Sequence, residues 1–581
     1  MFNNKIAEIL SEIGIYLEMQ DVPFKPRAYE KAAEIINSLG DDVGSIYKAG
    51  GIKALENIDG IGLSIASSIE EFLKTGKVKF YEELKKKTPV DLANLRRVEG
   101  LGPKKIKALY KKLDIKNLED LESAAKSGKI KVLDGFGEKT EANILKGIEF
   151  IKKSGNRLLL GQIFPEIKKI ELELKNLSFV KKINIAGSAR RMKETIGDLD
   201  ILIASDKPEA VMDFFTKMPN VDHILGKGDT KSSVVLRSGL QIDLRVVEES
   251  SYGAALNYFT GSKDHNVALR KIAIENNLKL NEYGLFKVLK NGKEGAMIAG
   301  KTEEEIYAAL NLDYIEPELR EVTGEIEAAR SKSLPKLISY QDLKGDLQTQ
   351  TNWTDGENSI EEMASAAIKY GLEYIAITDH TKRLAMTHGL DARRIVLQMK
   401  EIDKLNLKLK SKNINFKILK GTECDILKDG SLDLPDEILK LLDVVGVSVH
   451  SNFNLPEAEQ TERVLKAIKN PHADIFFHPT GRLINKRQPY FIDMDKVIKT
   501  AKETGTILEI DALPDRLDLK ADHIRKCVSL GVKMSIDSDS HSINHFNFLK
   551  FGIAEARRGW AKKDDIINSW SLEKMLGFLK K

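Results

Sequence analysis

Two aspartates one residue apart, Asp198 and Asp200, head an apolar run, DLDILIA (198–204). Successive strand side chains point to opposite faces, so both carboxylates share one face with Leu202, and Leu199, Ile201 and Ile203 point to the other. Adjacent carboxylates repel each other. A hard divalent cation such as Mg²⁺ relieves that repulsion and keeps positions open for phosphate oxygens. Upstream, strand-like INIA (183–186) runs into Gly187-Ser188 and a short polar helix-like segment with Arg190 and Arg191, and Gly197 precedes the aspartates. Free N–H groups at a helix start attract anions. The stretch 187–200 therefore offers a phosphate cradle leading into a paired-carboxylate metal site. A second metal calls for a third carboxylate. VVLRSGLQIDLRVVEE (234–249) reads as a hairpin around Ser238-Gly239, and its second strand sets Asp243 on the face opposite Leu240, Ile242, Leu244 and Val246. A lone strand aspartate usually just faces solvent; the Gly-Ser, the D-x-D and the later D-x-R together point to chemistry.

A second set of chemically able residues stands at the ends of apolar runs in the last third of the chain. YIAITDH (374–380), FKILKGTECDIL (416–427), DVVGVSVHS (443–451), DIFFHPTGR (474–482), TILEIDA (506–512) and VKMSIDSDSH (532–541) each close on polar side chains. With Asp355, the candidate ligands are His380, Glu423, His450, His478, Asp539 and His541. Imidazole with carboxylate suits Mn²⁺, Zn²⁺ or Fe²⁺. One histidine at a strand end is usually a cap or core residue, whereas a succession of such ends is a pattern. Strands alternating with helices predict a parallel α/β barrel, with its chemistry at the C-terminal strand ends.

A third signal is a repeat. IDGIG (58–62), VEGLG (98–102) and LDGFG (133–137) each precede a helical pattern. Two glycines permit a tight turn that aims N–H groups at an anion. Gly60, Gly62, Gly100, Gly102, Gly135 and Gly137 are the candidate phosphate-gripping positions, with Lys104, Lys105 and Lys107 on the second helix.

The elements that must carry these groups fit several domains. At 581 residues, three to five are expected at ordinary domain sizes. Residues 1–80 read as helical, with Ile6, Ile9, Leu10, Ile13 and Leu17 at helical spacing. The net charge of +4 gives no global basic field, so nucleic-acid binding has to come from local charge. Two cysteines, Cys424 and Cys527, build no disulfide framework. No basic n-region with an apolar core opens the chain, and no run of about 18 apolar residues occurs, so a cytoplasmic, nucleoid-associated protein with no membrane contact is expected.

The palm text resembles a nucleotidyltransferase, and YFTGSKDHNVALR (258–270) with LNEYGLF (280–286) resembles the thumb of family X DNA polymerases, the group of DNA polymerase beta. The repeats resemble the helix-hairpin-helix motif, which grips DNA phosphates without reading bases. The resemblance implies that Gly187, Ser188, Arg191 and Gly197 contact an incoming triphosphate. It also implies that Asp198, Asp200 and Asp243 hold two Mg²⁺ ions, that Tyr258, Phe259 and Gly261 pack under the sugar, and that Asn266 and Arg270 touch the nascent pair. Lys263 stands where the family has an aspartate. On the helix after the first hairpin, Ser64 and Ser68 stand where a deoxyribose-phosphate lyase keeps lysines; Lys31, Lys74 and Lys77 are nearby alternatives, and strong lyase activity is not expected.

The last third resembles a PHP domain, a distorted seven-stranded barrel with a metal cluster and phosphoesterase or 3′–5′ exonuclease activity. Its opening normally reads D-L-H-x-H-T; this chain has GDLQTQTNWTDG, with Gln348 and Gln350 in the histidine positions. An amide is a weak ligand for such metals, so either a weakened phosphoesterase or a non-catalytic remnant is expected, against the alternative of a fully active exonuclease. The resulting organisation is an N-terminal helical domain with the first hairpin (1–85), a fingers-like helical domain with the other two (86–150), palm (151–255), thumb (256–315), linker (316–340) and PHP barrel (341–581). The expected activity is template-directed filling of short gaps in DNA during base excision repair, by a monomer using dNTPs. Template-independent nucleotidyl transfer is the alternative.

Overall fold

The computed structural model describes residues 3–39, 42–58, 60–96, 98, 101–154, 157–384 and 387–579. Two compact units divide the chain: residues 1–156 with 485–487, and residues 157–484 with 488–581.

The first unit is helical, and its apolar residues form one continuous core from Ile6 to Ile151. The three Gly-containing phrases close on the same backbone hydrogen bond. The Ile61 amide donates to the Ile58 carbonyl, Leu101 to Val98, and Phe136 to Leu133. Gly60 and Gly135 adopt φ of 83° and 81°, a region glycine enters without steric cost. The next glycine then opens a helix. Gly62 caps α1 (Leu63–Thr75), Gly102 caps α2 (Pro103–Leu113), and the Gly137 carbonyl accepts from Glu141 at the head of α3 (Glu138–Ser154). Gly100 lies outside the described residues.

The second unit begins with helix α4 (Leu160–Lys175) against a five-stranded sheet. Its strands are β1 (Lys182–Ile185), β2 (Asp198–Ala204), β3 (Val221–Lys227), β4 (Lys231–Leu236) and β5 (Gln241–Val247), in spatial order β1-β2-β5-β4-β3. Helix α5 (Gly187–Arg190) links β1 to the loop before β2. Leu199, Ile201 and Ile203 pack with Ile167, Ile170 and Leu174 of α4. Leu202, on the carboxylate side, is buried with Tyr252 and Ala255 of α6 (Tyr252–Thr260). Helix α7 (Lys263–Glu275), a three-stranded antiparallel sheet and the helix Glu303–Ala309 follow, around a core that includes Leu269, Ile306 and Tyr307. Residues 316–340 cross to the barrel through a 3₁₀ turn, Pro317–Leu319, and a helix, Glu325–Arg330, with Leu319, Arg320, Glu325 and Ile326 buried.

Seven parallel strands form the barrel in sequence order: β6 (Gly345–Thr349), β7 (Tyr374–Ile377), β8 (Lys417–Asp425), β9 (Val444–Ser448), β10 (Ile475–Phe476), β11 (Ile507–Asp511) and β12 (Met534–Asp537). A parallel bridge between Thr349 and Ser540, and the Leu347 amide donating to Asp537 Oδ1 at 2.7 Å, bring the first strand back to the last. Side chains alternate along each strand. Leu419 and Glu423 therefore share one face of β8, and Ile507 and Asp511 one face of β11. The apolar members cluster with Tyr374, Phe477 and Trp570, and the polar members gather beyond them at the strand ends.

Candidate functional site

Strand β2 pairs in parallel with β5, and the register sets Asp200 opposite Asp243 and Asp198 opposite Gln241. Burial pushes the Asp200 carboxyl up to about 6, and the Asp198 and Asp243 carboxylates push it the same way. Burial also acts to raise Asp243, but hydrogen bonds from Gln241 (3.1 Å) and Ser233, with the Lys231 ammonium 3.4 Å away, hold it below the usual range. A protonation-prone Asp200 set between two further carboxylates fits hard divalent cations, which relieve the crowding of charge.

The cradle lies directly against them. Gly187 adopts φ of 61°, and a Cβ there would meet Asp200 Oδ2 at 2.3 Å. The Ala186 amide donates to the Asp200 carbonyl at 2.8 Å. Ser188 sits within α5, and Gly197 is exposed beside Asp198. The arginines are engaged. Arg190 is gripped by Glu303 at 2.9 and 2.6 Å, and Arg191 Nε donates to Glu321 at 2.8 Å while its Nη1 reaches the Thr260 carbonyl. Gly261, at φ of 70°, passes close enough that a Cβ would lie 3.2 Å from Arg191 Nη1. Tyr258 is 36% exposed, and its ring meets Phe259 edge-on at 5.1 Å. Arg245 stacks on Phe259 at 4.5 Å. Asn266 is buried and donates to the Tyr258 carbonyl at 2.6 Å, and exposed Arg270 donates to the Asn266 carbonyl at 3.3 Å.

A pH dependence follows from Asp200. Its folded pKa of about 6 lies above the ordinary carboxyl value near 4, so the penalty for ionising it is absent in acid, grows as pH rises from about 4 to about 6, and is fully present above that. Mg²⁺ relieves that penalty. The melting temperature of the second unit is therefore expected to rise more on adding Mg²⁺ at pH 8 than at pH 5, by a few degrees, and Asp200→Asn removes the difference. Thermal denaturation at the two pH values checks it.

The barrel brings its predicted ligands together. Glu423 accepts from His450 (3.0 Å) and His478 (2.8 Å), with His380 Nδ1 3.3 Å away. Asp355 stands 3.6 Å from both His380 Nε2 and His541 Nε2. Two clusters can each hold a cation, Asp355–His380–His541 and His380–Glu423–His450. Burial alone would push His450 and His541 down, but the facing carboxylates raise them to about 9 and about 10. Such a set of imidazoles and carboxylates fits a borderline divalent metal. Asp539 lies 3.8 Å from His541 and 3.6 Å from Arg516. Gln350 reaches the same cluster. Gln350 Nε2 donates to Glu423 Oε2 at 2.8 Å, and Gln348 is fully buried with neither amide atom hydrogen-bonded.

Several groups went unread in the sequence. Asp346, Glu509 and Asp511 are fully buried and held above the usual carboxyl range by burial and by the neighbouring carboxylates of Asp537, Asp511 and Asp539 respectively; burial pushes Asp537 to about 7. Arg516 lies 3.4 Å from Asp511. The alternating carboxylates of LEID and SIDSDS were the available signal. In the first unit, Lys105 lies over the Phe136 ring of the third hairpin at 5.8 Å, Lys107 pairs with Asp21, and Lys104 is exposed. Ser68 is buried with its hydroxyl donating to the Ser64 carbonyl at 3.1 Å, and Lys74 pairs with Glu70 at 2.9 Å.

Four family models match this chain: a helix-hairpin-helix domain (residues 1–78), a SAM-like helix-hairpin-helix tandem (92–149), the DNA polymerase beta thumb (255–321) and the PHP domain (346–505). The chain is 33% identical to a probable phosphatase of Thermoanaerobacter sp. (strain X514) across 195 residues, 32% of this chain and 73% of the relative. A probable phosphatase of Acetivibrio thermocellus is 31% identical over 196 residues, 32% of this chain and 73% of the relative. From end to end, the chain is 40% identical over 584 aligned positions to the DNA polymerase/3′–5′ exonuclease PolX of Bacillus subtilis, covering all of both proteins. Likeness at that level along the whole length, with hairpins, thumb and barrel matched in the same order, makes the chain a member of the family X DNA polymerases that carry a C-terminal PHP domain.

Proposed function

We propose that this polymerase fills short gaps in DNA during repair, copying the template by two-metal nucleotidyl transfer at Asp198, Asp200 and Asp243. The observation that carries the reading is the β2–β5 register, which seats Asp243 beside Asp200. Bound Mg²⁺ would activate the primer 3′-hydroxyl and neutralise charge on the leaving pyrophosphate. The chain's own part is to position and to balance charge, which carries most of phosphoryl-transfer catalysis. The N–H groups at the head of α5 and the Arg191 guanidinium face the triphosphate, with Arg191 exchanging Glu321 for phosphate oxygens. Tyr258 and Phe259, braced on Arg245, floor the sugar, and Asn266 and Arg270 line the base-pair edge. The three hairpins grip backbone phosphates, whose contacts position DNA without reading it.

Template copying is separated from template-independent addition by a one-nucleotide gap offered each dNTP singly. Only the nucleotide complementary to the template base is expected to be added efficiently, by ~10²-fold or more over the others, a preference that follows the template when its base is changed. Equal addition of all four would support the alternative. Lyase chemistry is not part of this reading, because Ser64 and Ser68 cannot form an imine. The barrel's phosphoesterase activity, named as an exonuclease in the Bacillus subtilis relative, is expected here in weakened form, since Gln350 places an amide donor on Glu423 where a cation would bind.

A further inference from the structure

We infer that the C-terminal barrel is a working part of the polymerase site: Arg558 and Arg482 reach out of it to fix the loop 191–194, which carries the triphosphate-binding arginine. The inference rests on the reading of Arg191 given above. It assigns the barrel a role that needs no metal and no histidine at positions 348 and 350.

The loop has little of its own to hold it. Met192 adopts φ of 51°, a left-handed conformation that a non-glycine residue keeps only when its surroundings impose it. Within the palm, the loop's ties are backbone bonds from Arg191 to Gly187 (3.3 Å), Met192 to Ala189 (3.1 Å), Lys193 to Ser188 (3.0 Å) and Leu160 to Glu194 (3.0 Å), with the half-buried Met192 side chain against the apolar cluster. The charged side-chain restraints come from beyond the palm. Arg558, at the end of α8 (Leu549–Arg558), donates to the Met192 carbonyl and is held in place by Glu555. Arg482, from the segment after β10, donates to Glu194 at 2.6 Å and also to the Leu517 carbonyl. The connecting segment adds Glu321, which takes Arg191 at 2.8 Å and Lys193 at 3.6 Å.

Both barrel arginines are desolvated, Arg558 at 8% and Arg482 at 4% exposure. A charge that deeply buried persists only when paired, and its contacts are geometrically strict. The surface around them is tightly packed. Phe551 of α8 belongs to the palm's own apolar cluster and meets Phe164 edge-on at 5.4 Å. Gly161 of α4 lies so close to Pro514 that a Cβ would fall 2.4 Å from its side chain. Palm and barrel here share one core, so the arginines project from a packed base onto loop 191–194 of the nucleotide cradle.

The test is single-nucleotide gap filling by the full chain carrying Arg558→Met, which keeps length and loses the donors, and Arg558→Lys, which keeps one. Methionine is expected to raise KM for the incoming dNTP ~10-fold, the scale of one lost charge-assisted hydrogen bond. kcat should stay within about threefold, and lysine should recover most of the change. Melting curves on the same preparations separate positioning from folding. If methionine costs folding, Arg482→Lys is expected to show the same selective rise in KM in a protein that melts like wild type. An unchanged KM in folded variants overturns the inference, as does a fall in kcat that tracks only the fraction folded. Wild type that incorporates no nucleotide at all defeats the functional reading itself, and the inference with it.

Discussion

Asparagine in place of Asp243 is expected to lower kcat for template-directed incorporation at least ~10³-fold while leaving dNTP binding within a few-fold. Metal-assisted charge stabilisation supplies several kcal/mol in such reactions, and each 1.36 kcal/mol is a tenfold change in rate. Asp243 is the one carboxylate contributed by β5; without it only the two groups of β2 remain to share two cations. The shape of the site survives, because asparagine can keep the contacts to Gln241 and Ser233, and the strand register depends on the buried neighbours Ile242 and Leu244. Binding of the triphosphate survives as well, since the head of α5 and Arg191 are untouched. Pre-steady-state kinetics with Asp243→Asn on gapped DNA separates the two quantities. A variant that retains more than about a tenth of wild-type kcat would show that this carboxylate does not hold metal in the reaction.

The second large effect runs the other way. Restoring both histidines, as Gln348→His with Gln350→His, is expected to increase Mn²⁺-dependent shortening of a 5′-labelled primer at least ~10-fold over wild type. In wild type, the Gln350 amide points a donor at Glu423 Oε2, an oxygen that a cation would otherwise take, and the Gln348 side chain is fully buried with neither amide atom hydrogen-bonded. An imidazole at position 350 replaces a neutral donor group by a metal ligand beside Glu423, the carboxylate that His380, His450 and His478 share, and one at position 348 adds a second imidazole on the same segment. The gain should vanish when His450→Ala is added and persist with Asp198→Ala. A double-histidine variant no faster than wild type would mean that the lost activity lies elsewhere in the barrel, with the buried Asp346, Glu509 and Asp537 as the next place to look.

Much of this was legible because strand parity is strict. The D-x-D of β2 and the alternation around Asp243 placed the carboxylates on polar faces before any coordinates. The three glycine phrases close on the same backbone hydrogen bond, and the barrel's candidate ligands stand together beyond the ends of the apolar runs. The parallel pairing that sets Asp243 against Asp200 could not be read. A slip of one residue would send Asp243 to the opposite face, and only packing of the whole sheet fixes the register. Charge partners were equally invisible. Residues 316–340 read as a polar crossing, yet Arg320 is buried against Glu303 at 2.6 Å and Glu325 against His265 at 2.8 Å. Composition shows charge but not who neutralises it. Arg191 looked free for phosphate and is held by Glu321, and the barrel's reach into the palm comes from Arg558, in no motif, and from Arg482, which closes the run DIFFHPTGR without offering a metal ligand.

The most direct measurement is anomalous diffraction from Mn²⁺ in crystals of the full chain with gapped DNA and a non-hydrolysable dNTP. Two peaks are expected in the palm, about 3.5–4 Å apart, with oxygens of Asp198 and Asp200 on both and Asp243 on the one nearer the primer end. A single peak, or a pair that leaves Asp243 uncoordinated, would contradict the account.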